Sequence, residues 1–84
     1  MILTSPIDGA RLQRKQRIEA QAFDDVSVAR VEFYVNDALL ATDTTAPYVV
    51  YWNTRRAVDG PNIIKAVAYD PRGNSSAVEV TAYR

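Results

Sequence analysis

Five aspartates lie at the ends of segments that we predict to be strands, and carboxylates are the side chains that bind calcium or act as catalytic acids and bases. They are Asp24, Asp25, Asp43, Asp59 and Asp70. Calcium needs roughly six to eight oxygen ligands around one point, and Asp24 and Asp25 would supply two of them. The alternative is that each carboxylate accepts hydrogen bonds from the backbone of its own turn. We favour this structural role because no EF-hand-like spacing is present. We therefore predict no metal ion and no cofactor.

The composition excludes most catalytic chemistry. The chain has 84 residues, with no His and no Cys, and its 10 basic residues balance its 10 acidic ones. These absences rule out a Ser-His-Asp triad, a Cys nucleophile, a disulfide and an ordinary zinc site. The zero net charge lacks the basic field of a nucleic-acid-binding domain. No apolar run approaches the roughly 20 residues that cross a bilayer, and no signal-peptide pattern is present. We expect a protein that is not an enzyme, does not bind nucleic acid and does not insert into a membrane.

A short basic run is the strongest local charge feature. Arg11, Arg14, Lys15 and Arg17 fall within seven residues. One interpretation is a surface for an anionic partner, such as a polyanionic glycan, a phosphate surface or nucleic acid. The other is a solvated edge strand whose charges prevent pairing with a second sheet. We favour the edge strand because no aromatic residues are interleaved in the run.

Four outward-facing residues form a candidate ligand-binding surface. Tyr34, Val67, Tyr69 and Tyr83 share the outward phase of strands that we expect in one sheet. Tyrosines on a flat sheet face suit sugar stacking and protein interfaces. The simpler interpretation is cross-strand pairing on an exposed face, which we favour.

The elements that would position these residues are strands. Turn signals separate segments of about 6–10 residues, which is too short for most helices. Four segments alternate apolar and polar residues and three weaker ones complete a set of seven; they are residues 2–5, 16–22, 30–36, 39–44, 48–52, 63–70 and 77–83. Such spacing predicts an all-β sandwich or barrel. The alternation places Phe33, Tyr48 and Trp52 in the core, while Asp70 and Gly73 fit a type I turn with a G1 bulge.

Several motifs are similar to those of a known family. SPIDG, DDVSVARVEFYVND, ATDTTAPYVVYWNT and DGPNIIKAVAYDPRGNSS closely resemble bacterial immunoglobulin-like domains, and the resemblance runs from Leu3 to Tyr83. It implies one domain over residues 1–84, an antiparallel immunoglobulin or fibronectin type III-like sandwich of seven strands with Greek-key connections and no disulfide. It further implies a non-catalytic spacer or accessory module in a secreted or cell-surface bacterial protein. The alternative is a module that binds carbohydrate or a protein through Tyr34, Val67, Tyr69 and Tyr83.

The resemblance also carries expectations about partners and about one turn. We expect a monomer whose partners are neighbouring domains, and the start at Met1 leaves open an excised or engineered module. Family members usually carry Asp-Gly where this chain has Asp37-Ala38. If Ala38 takes the positive φ of that glycine, it is strained and Ala38→Gly stabilises the fold; otherwise Asn36 and Asp37 take the positive φ values.

Overall fold

The seven strands form two antiparallel sheets that pack face to face. A computed structural model describes residues 1–21 and 28–84. The strands are β1 (Ile2–Ser5), β2 (Lys15–Gln21), β3 (Arg30–Val35), β4 (Ala38–Asp43), β5 (Tyr48–Asn53), β6 (Pro61–Tyr69) and β7 (Ser75–Tyr83), with a 3-10 turn, η1 (Thr54–Arg56), after β5. One sheet has the order β1-β2-β5 and the other β4-β3-β6-β7. The chain changes sheets between β2 and β3, β4 and β5, and β5 and β6, as expected of Greek-key connections. The predicted sandwich class is thus confirmed.

The core consists of the inward-facing residues of both sheets. Phe33, Ile18 and Ile64 are fully buried, and Tyr48 and Trp52 retain only 9% exposure each. Every one of these residues occupies the inward phase of its strand's alternation, which is why a period of two locates a sandwich core.

The segment between β1 and β2 joins the two sheets. Beyond β1 the chain leaves β2 and runs along β7, where the Gly9 N–H donates to the Thr81 carbonyl at 2.7 Å and the Tyr83 N–H donates to the Ala10 carbonyl at 2.8 Å. The Asp8 carboxylate accepts from the Thr81 N–H at 2.9 Å. These bonds cover part of the β7 edge, which protects it from pairing with another chain.

The turn between β3 and β4 differs from the Ala38 hypothesis. Asn36 has φ 49° and Asp37 has φ 69°, whereas Ala38 begins β4 with ordinary extended backbone. Two successive positive φ values match a type I′ turn, whose twist suits a two-residue hairpin. The prediction of a strained Ala38 is therefore wrong, and the left-handed positions lie one and two residues earlier.

The buried aromatic residues generate the first prediction. Replacing Phe33 or Trp52 with alanine should lower the free energy of unfolding by about 3–5 kcal/mol, because each change empties a large volume between the sheets. A domain of this size has roughly 5–10 kcal/mol in total, so both variants should lie close to unfolding. Urea melts measure the loss. Tyr51→Ala is the matched control, since Tyr51 is adjacent to Trp52 but 56% exposed; a Trp52→Ala protein as stable as the control would contradict the prediction.

The corrected turn generates the second prediction. Asp37→Gly should stabilise the protein by about 1 kcal/mol, because glycine adopts positive φ without the cost that a Cβ imposes. The carboxylate that is lost lies 3.9 Å from the Lys65 ammonium and is 94% exposed, so its ion pair contributes little. Ala38→Gly should instead destabilise by about 0.5–1 kcal/mol, as glycine does within a strand. Denaturant midpoints that move in the opposite order would refute this assignment of the turn.

Candidate binding surface

The four predicted ligand-binding residues do not form one patch. Tyr34 and Tyr69 are half-buried and Val67 is buried on the outer side of the four-stranded sheet. Tyr83 is 45% exposed but lies opposite Pro61, at the far end of β6 from Tyr69. Eight residues of strand separate the two positions, or about 26 Å. The structure thus brings Tyr34, Val67 and Tyr69 near one another and leaves Tyr83 apart.

Cationic side chains of the same sheet cover the rings of Tyr34 and Tyr69. The Arg30 guanidinium lies 4.0 Å from the centre of the Tyr69 ring. The Lys65 ammonium lies 5.1 Å from the centre of the Tyr34 ring. Cation–π contacts of this kind occupy the ring face on which a sugar would stack.

Glu32 links these contacts into a ladder, which we define as Tyr69, Arg30, Glu32, Tyr34 and Lys65. The Glu32 carboxylate accepts hydrogen bonds from the Tyr34 hydroxyl at 2.6 Å and from Arg30 Nε at 3.0 Å. The Tyr34 bond and then the Arg30 bond lower the pKa of Glu32, and the same carboxylate raises the pKa of Tyr34. The Glu32 bonds run along β3, and the two cation–π contacts link β3 to β6, so the geometry suits stabilisation of the sheet.

The sequence pattern does not show the roles of Arg30 and Glu32 in the ladder. Both share the outward phase of Tyr34 on β3, and β3 is paired directly with β6, which carries Lys65 and Tyr69. The alternation alone marks them as polar surface. Only the register of β3 against β6 places Arg30 opposite Tyr69.

The basic run does not lie on an edge strand as expected. Its second half begins β2, which is the middle strand of the β1-β2-β5 sheet. The pairing of β1 extends only from Gln21 to Glu19, so residues 15–18 of β2 pair with β5 alone among the described residues. Ser5 Oγ and Gln16 Nε2 both donate to the Arg17 carbonyl on that open side. On this open side, side-chain hydrogen bonds therefore protect the backbone of β2 from pairing with another strand, in addition to the positive charges of the run.

Asp70 organises the hairpin between β6 and β7. One of its carboxylate oxygens accepts from the backbone N–H groups of Arg72 and Asn74, both at 2.9 Å, and the other accepts from Asn74 Nδ2 at 3.0 Å. The side-chain bond from Asn74, followed by the backbone bonds, lowers the pKa of Asp70. Gly73 has φ 89° and closes the turn through its N–H to the Asp70 carbonyl.

Asp24 and Asp25, for which the sequence favours a structural role in turns over calcium binding, lie outside the described residues. Within residues 1–21 and 28–84, no group of three or more His, Cys, Asp and Glu side chains is placed to hold a metal ion. Over the same ranges, no helix has the length and apolar character to cross a bilayer.

Comparison with known proteins places the chain in a family. The family model described as "Bacterial Ig domain" matches residues 1–82, so the chain belongs to the bacterial immunoglobulin-like domain family. Among solved structures it is similar to the fibronectin(III)-like modules of CbhA from Clostridium thermocellum. The identity is 31% and the TM-score 0.80, covering 98% of this chain and 92% of that one. No curated protein sequence matches the chain. The resemblance drawn from the sequence is thereby confirmed.

The Asp70 turn generates a prediction about pH. A carboxyl whose pKa is lower in the folded state stabilises the fold fully above its unfolded pKa of about 3.9, and that stability is lost as the pH falls through the lower, folded value. Asp70→Ala should therefore be less stable than the parent at neutral pH, and the difference should shrink as the pH falls below about 4. Urea midpoints over a pH series measure this. Asp59→Ala, at an exposed carboxyl without a hydrogen bond or ion pair among the described residues, is the control; a constant Asp70→Ala difference down to the lowest pH would contradict the prediction.

Proposed function

We propose that this module is a non-catalytic spacer that separates neighbouring domains of a secreted or cell-surface bacterial protein. The observation that carries the proposal is the direction of the chain through the sandwich. When the chain enters at one end of the sandwich and leaves at the other, the domains on either side are separated by the full length of the module.

The strand registers define the two ends. Leu3 pairs with Ala20, and Ala20 with Tyr48, so β1 begins at the end of the sandwich where β5 starts. Arg84 exchanges backbone hydrogen bonds with Gly60, and its side chain donates to the carbonyls of Arg55 and Ala57, which lie in η1 and directly after it, beyond the end of β5. The long axis of the Cα trace is 38 Å, against 19 and 18 Å across it. The ends of the chain are therefore separated along the longest dimension.

The surface chemistry supports a structural role. The ladder on the four-stranded sheet already pairs Arg30 with Glu32 and covers the rings of Tyr34 and Tyr69. A ligand that stacked on either ring would have to displace a cation that contributes to the sheet. The alternative function, binding of carbohydrate or protein through Tyr34, Val67, Tyr69 and Tyr83, stays a prediction and would depend on that displacement.

The similarity to the CbhA modules supports the same role. Those fibronectin(III)-like modules have 31% identity to this chain over nearly its whole length. The match to the bacterial immunoglobulin-like family supports the same role, since a unit of 84 residues has the size of one domain in a multidomain chain.

The spacer role is testable by distance measurement. The module is placed between two reporter domains, each with a single spin label, because the chain itself has no Cys to interfere. We expect a narrow distance distribution whose mean exceeds that of directly fused reporters by about the 38 Å long axis. The control is a Gly/Ser chain of the same 84 residues, which should give a broad distribution with a root-mean-square span of about 50 Å.

Two outcomes decide the proposal. Trp52→Ala should broaden the distribution towards that of the Gly/Ser chain, because loss of the core removes the rigidity. A parent module that gives the same broad distribution as the Gly/Ser chain would refute the spacer role.

A further inference from the structure

The three-stranded sheet carries a cluster of cations that the sequence divides between two distant segments. We call it the basic platform, and its members are Arg14, Lys15, Arg17, Arg55 and Arg56, all exposed. Arg14 directly precedes β2, Lys15 and Arg17 lie at its start, and the other two belong to η1, which follows β5. The two strands are paired neighbours, and the Thr54 N–H donates to the Arg14 carbonyl at 3.0 Å. Folding therefore joins η1 to the basic run.

The platform is positively charged although the net charge of the whole chain is zero. Five of the 10 basic residues lie in it, and the nearest carboxylate on the same strand is Glu19, which pairs with Arg17 at 2.9 Å. The other four cations have no ion pair among the described residues. The rest of the chain therefore has the other five basic residues and nine of the 10 acidic residues. The protein is therefore neutral overall but has one strongly positive surface, which attracts anions locally.

An aromatic ring lies within the platform. Tyr51 is opposite Arg17 in the register of β2 against β5, and the Lys15 ammonium is 5.1 Å from the centre of its ring. Arg30 is held over its tyrosine by Glu32, whereas Lys15 has no ion pair among the described residues, so an anionic ligand can draw it off the ring. Its exposure is 56%, which makes it one of the most exposed large side chains of the described chain. The basic run lacks interleaved aromatic residues in sequence, but the neighbouring strand supplies one in space.

Hydrogen bonds hold the platform's backbone in place. Asn53 Oδ1 accepts from the Arg55 N–H at 3.0 Å and begins η1. Thr54 is buried, and its hydroxyl lies 2.8 Å from the Gln13 carbonyl and 3.1 Å from the Arg14 carbonyl. Fixing both segments before a ligand arrives reduces the entropy that binding must overcome.

We propose that the basic platform binds an acidic polysaccharide, with Tyr51 stacking on a pyranose ring and the arginines pairing with carboxylates of the uronic acid units. The apolar C–H face of a pyranose packs on an aromatic ring, and the guanidinium group matches a carboxylate with two parallel hydrogen bonds. Surfaces that bind single-stranded nucleic acid stack successive bases on several aromatic residues. On this face of the described residues Tyr51 is the single aromatic side chain, which favours a glycan. The proposal goes beyond the spacer role and does not depend on it.

The test is an NMR titration of the isotope-labelled chain with hexagalacturonate, in low salt and in about 0.15 M salt. Neutral cellohexaose, a hexathymidylate oligonucleotide and vesicles containing phosphatidylglycerol are the comparison probes. We expect shifts at Lys15, Arg17, Tyr51 and Arg55 with hexagalacturonate, and much weaker binding of the other three probes at the higher salt.

Variants separate the ring from the charge. Arg55→Gln/Arg56→Gln should weaken hexagalacturonate binding about tenfold or more, because two charge-assisted contacts are lost. Tyr51→Leu should weaken it about five- to tenfold at both salt concentrations, since stacking is not screened. Arg72→Gln and Leu39→Ala remove an exposed cation and an apolar side chain as exposed as Tyr51 from the other sheet, and they should change the affinity less than about twofold. Thermal melts check that each variant is folded.

Three results would overturn the proposal. One is the absence of shifts at the platform with hexagalacturonate in low salt. Another is equal affinity for the oligonucleotide or the vesicles, which would assign the surface to polyanions in general or to membranes. The third is Tyr51→Leu binding as tightly as the parent, which would reduce the interaction to screened charge attraction.

Discussion

The burial of one layer of apolar side chains between two sheets is the constraint on which everything else in this molecule depends. No disulfide links the two sheets, because the chain has no cysteine. Phe33 and Ile64 from one sheet and Ile18 from the other are fully buried, so the layers are joined by side-chain packing. A register slip of one residue in any strand would turn that strand's apolar set towards water. The same alternation that places Phe33 inside therefore places Glu32 and Tyr34 outside, and the surfaces follow from the core.

Buried polar groups complete the packing where the strands end. Asn62 is fully buried, and its amide accepts from the Val58 N–H and from Asn36 Nδ2 and donates to the carbonyls of Val58 and Gly60. In the described residues no buried side-chain nitrogen or oxygen is left without a partner. A satisfied amide at this position ties the loop before β6 to the β3–β4 turn, because a buried polar group without a hydrogen bond would be costly. At this end of the sandwich the hydrogen bonds of Asn62 hold the chain segments together, as apolar packing does in the middle.

Local patterns were enough for the strands and their inward faces, and they failed where the answer depended on register. Phe33 could be placed inside from alternation alone, since the other phase of β3 carries Arg30 and Glu32. Trp52 shares its phase with Tyr48 and Val50, and this phase is only the more apolar of the two in β5. Ala38 was misjudged because the family pattern of Asp-Gly suggested the wrong residue of the turn, whereas the hairpin register requires positive φ at Asn36 and Asp37. The distance between Tyr69 and Tyr83 could not be read from their shared phase, because phase gives the face of a sheet and not the position along it. Arg55 and Arg56 lie about forty residues from Arg14, and only the pairing of β2 with β5 makes them neighbours.

The outer faces of the two sheets carry the same side-chain types, a tyrosine with a cation over its ring. They differ in whether their cations are paired with carboxylates. On the four-stranded sheet, Glu32 lies between Tyr34 and Arg30 and satisfies both, so that face has little left to offer a charged partner. On the three-stranded sheet, Lys15 also lies over a tyrosine ring, but the carboxylate of that face is Glu19, which is held by Thr4 and Arg17. The other cations around Tyr51 are exposed and have no ion pair among the described residues. A spacer needs only the first kind of face, because internal pairing keeps a surface inert. The second kind leaves unpaired charge next to an exposed ring, and that combination is what recognition of an anionic sugar requires.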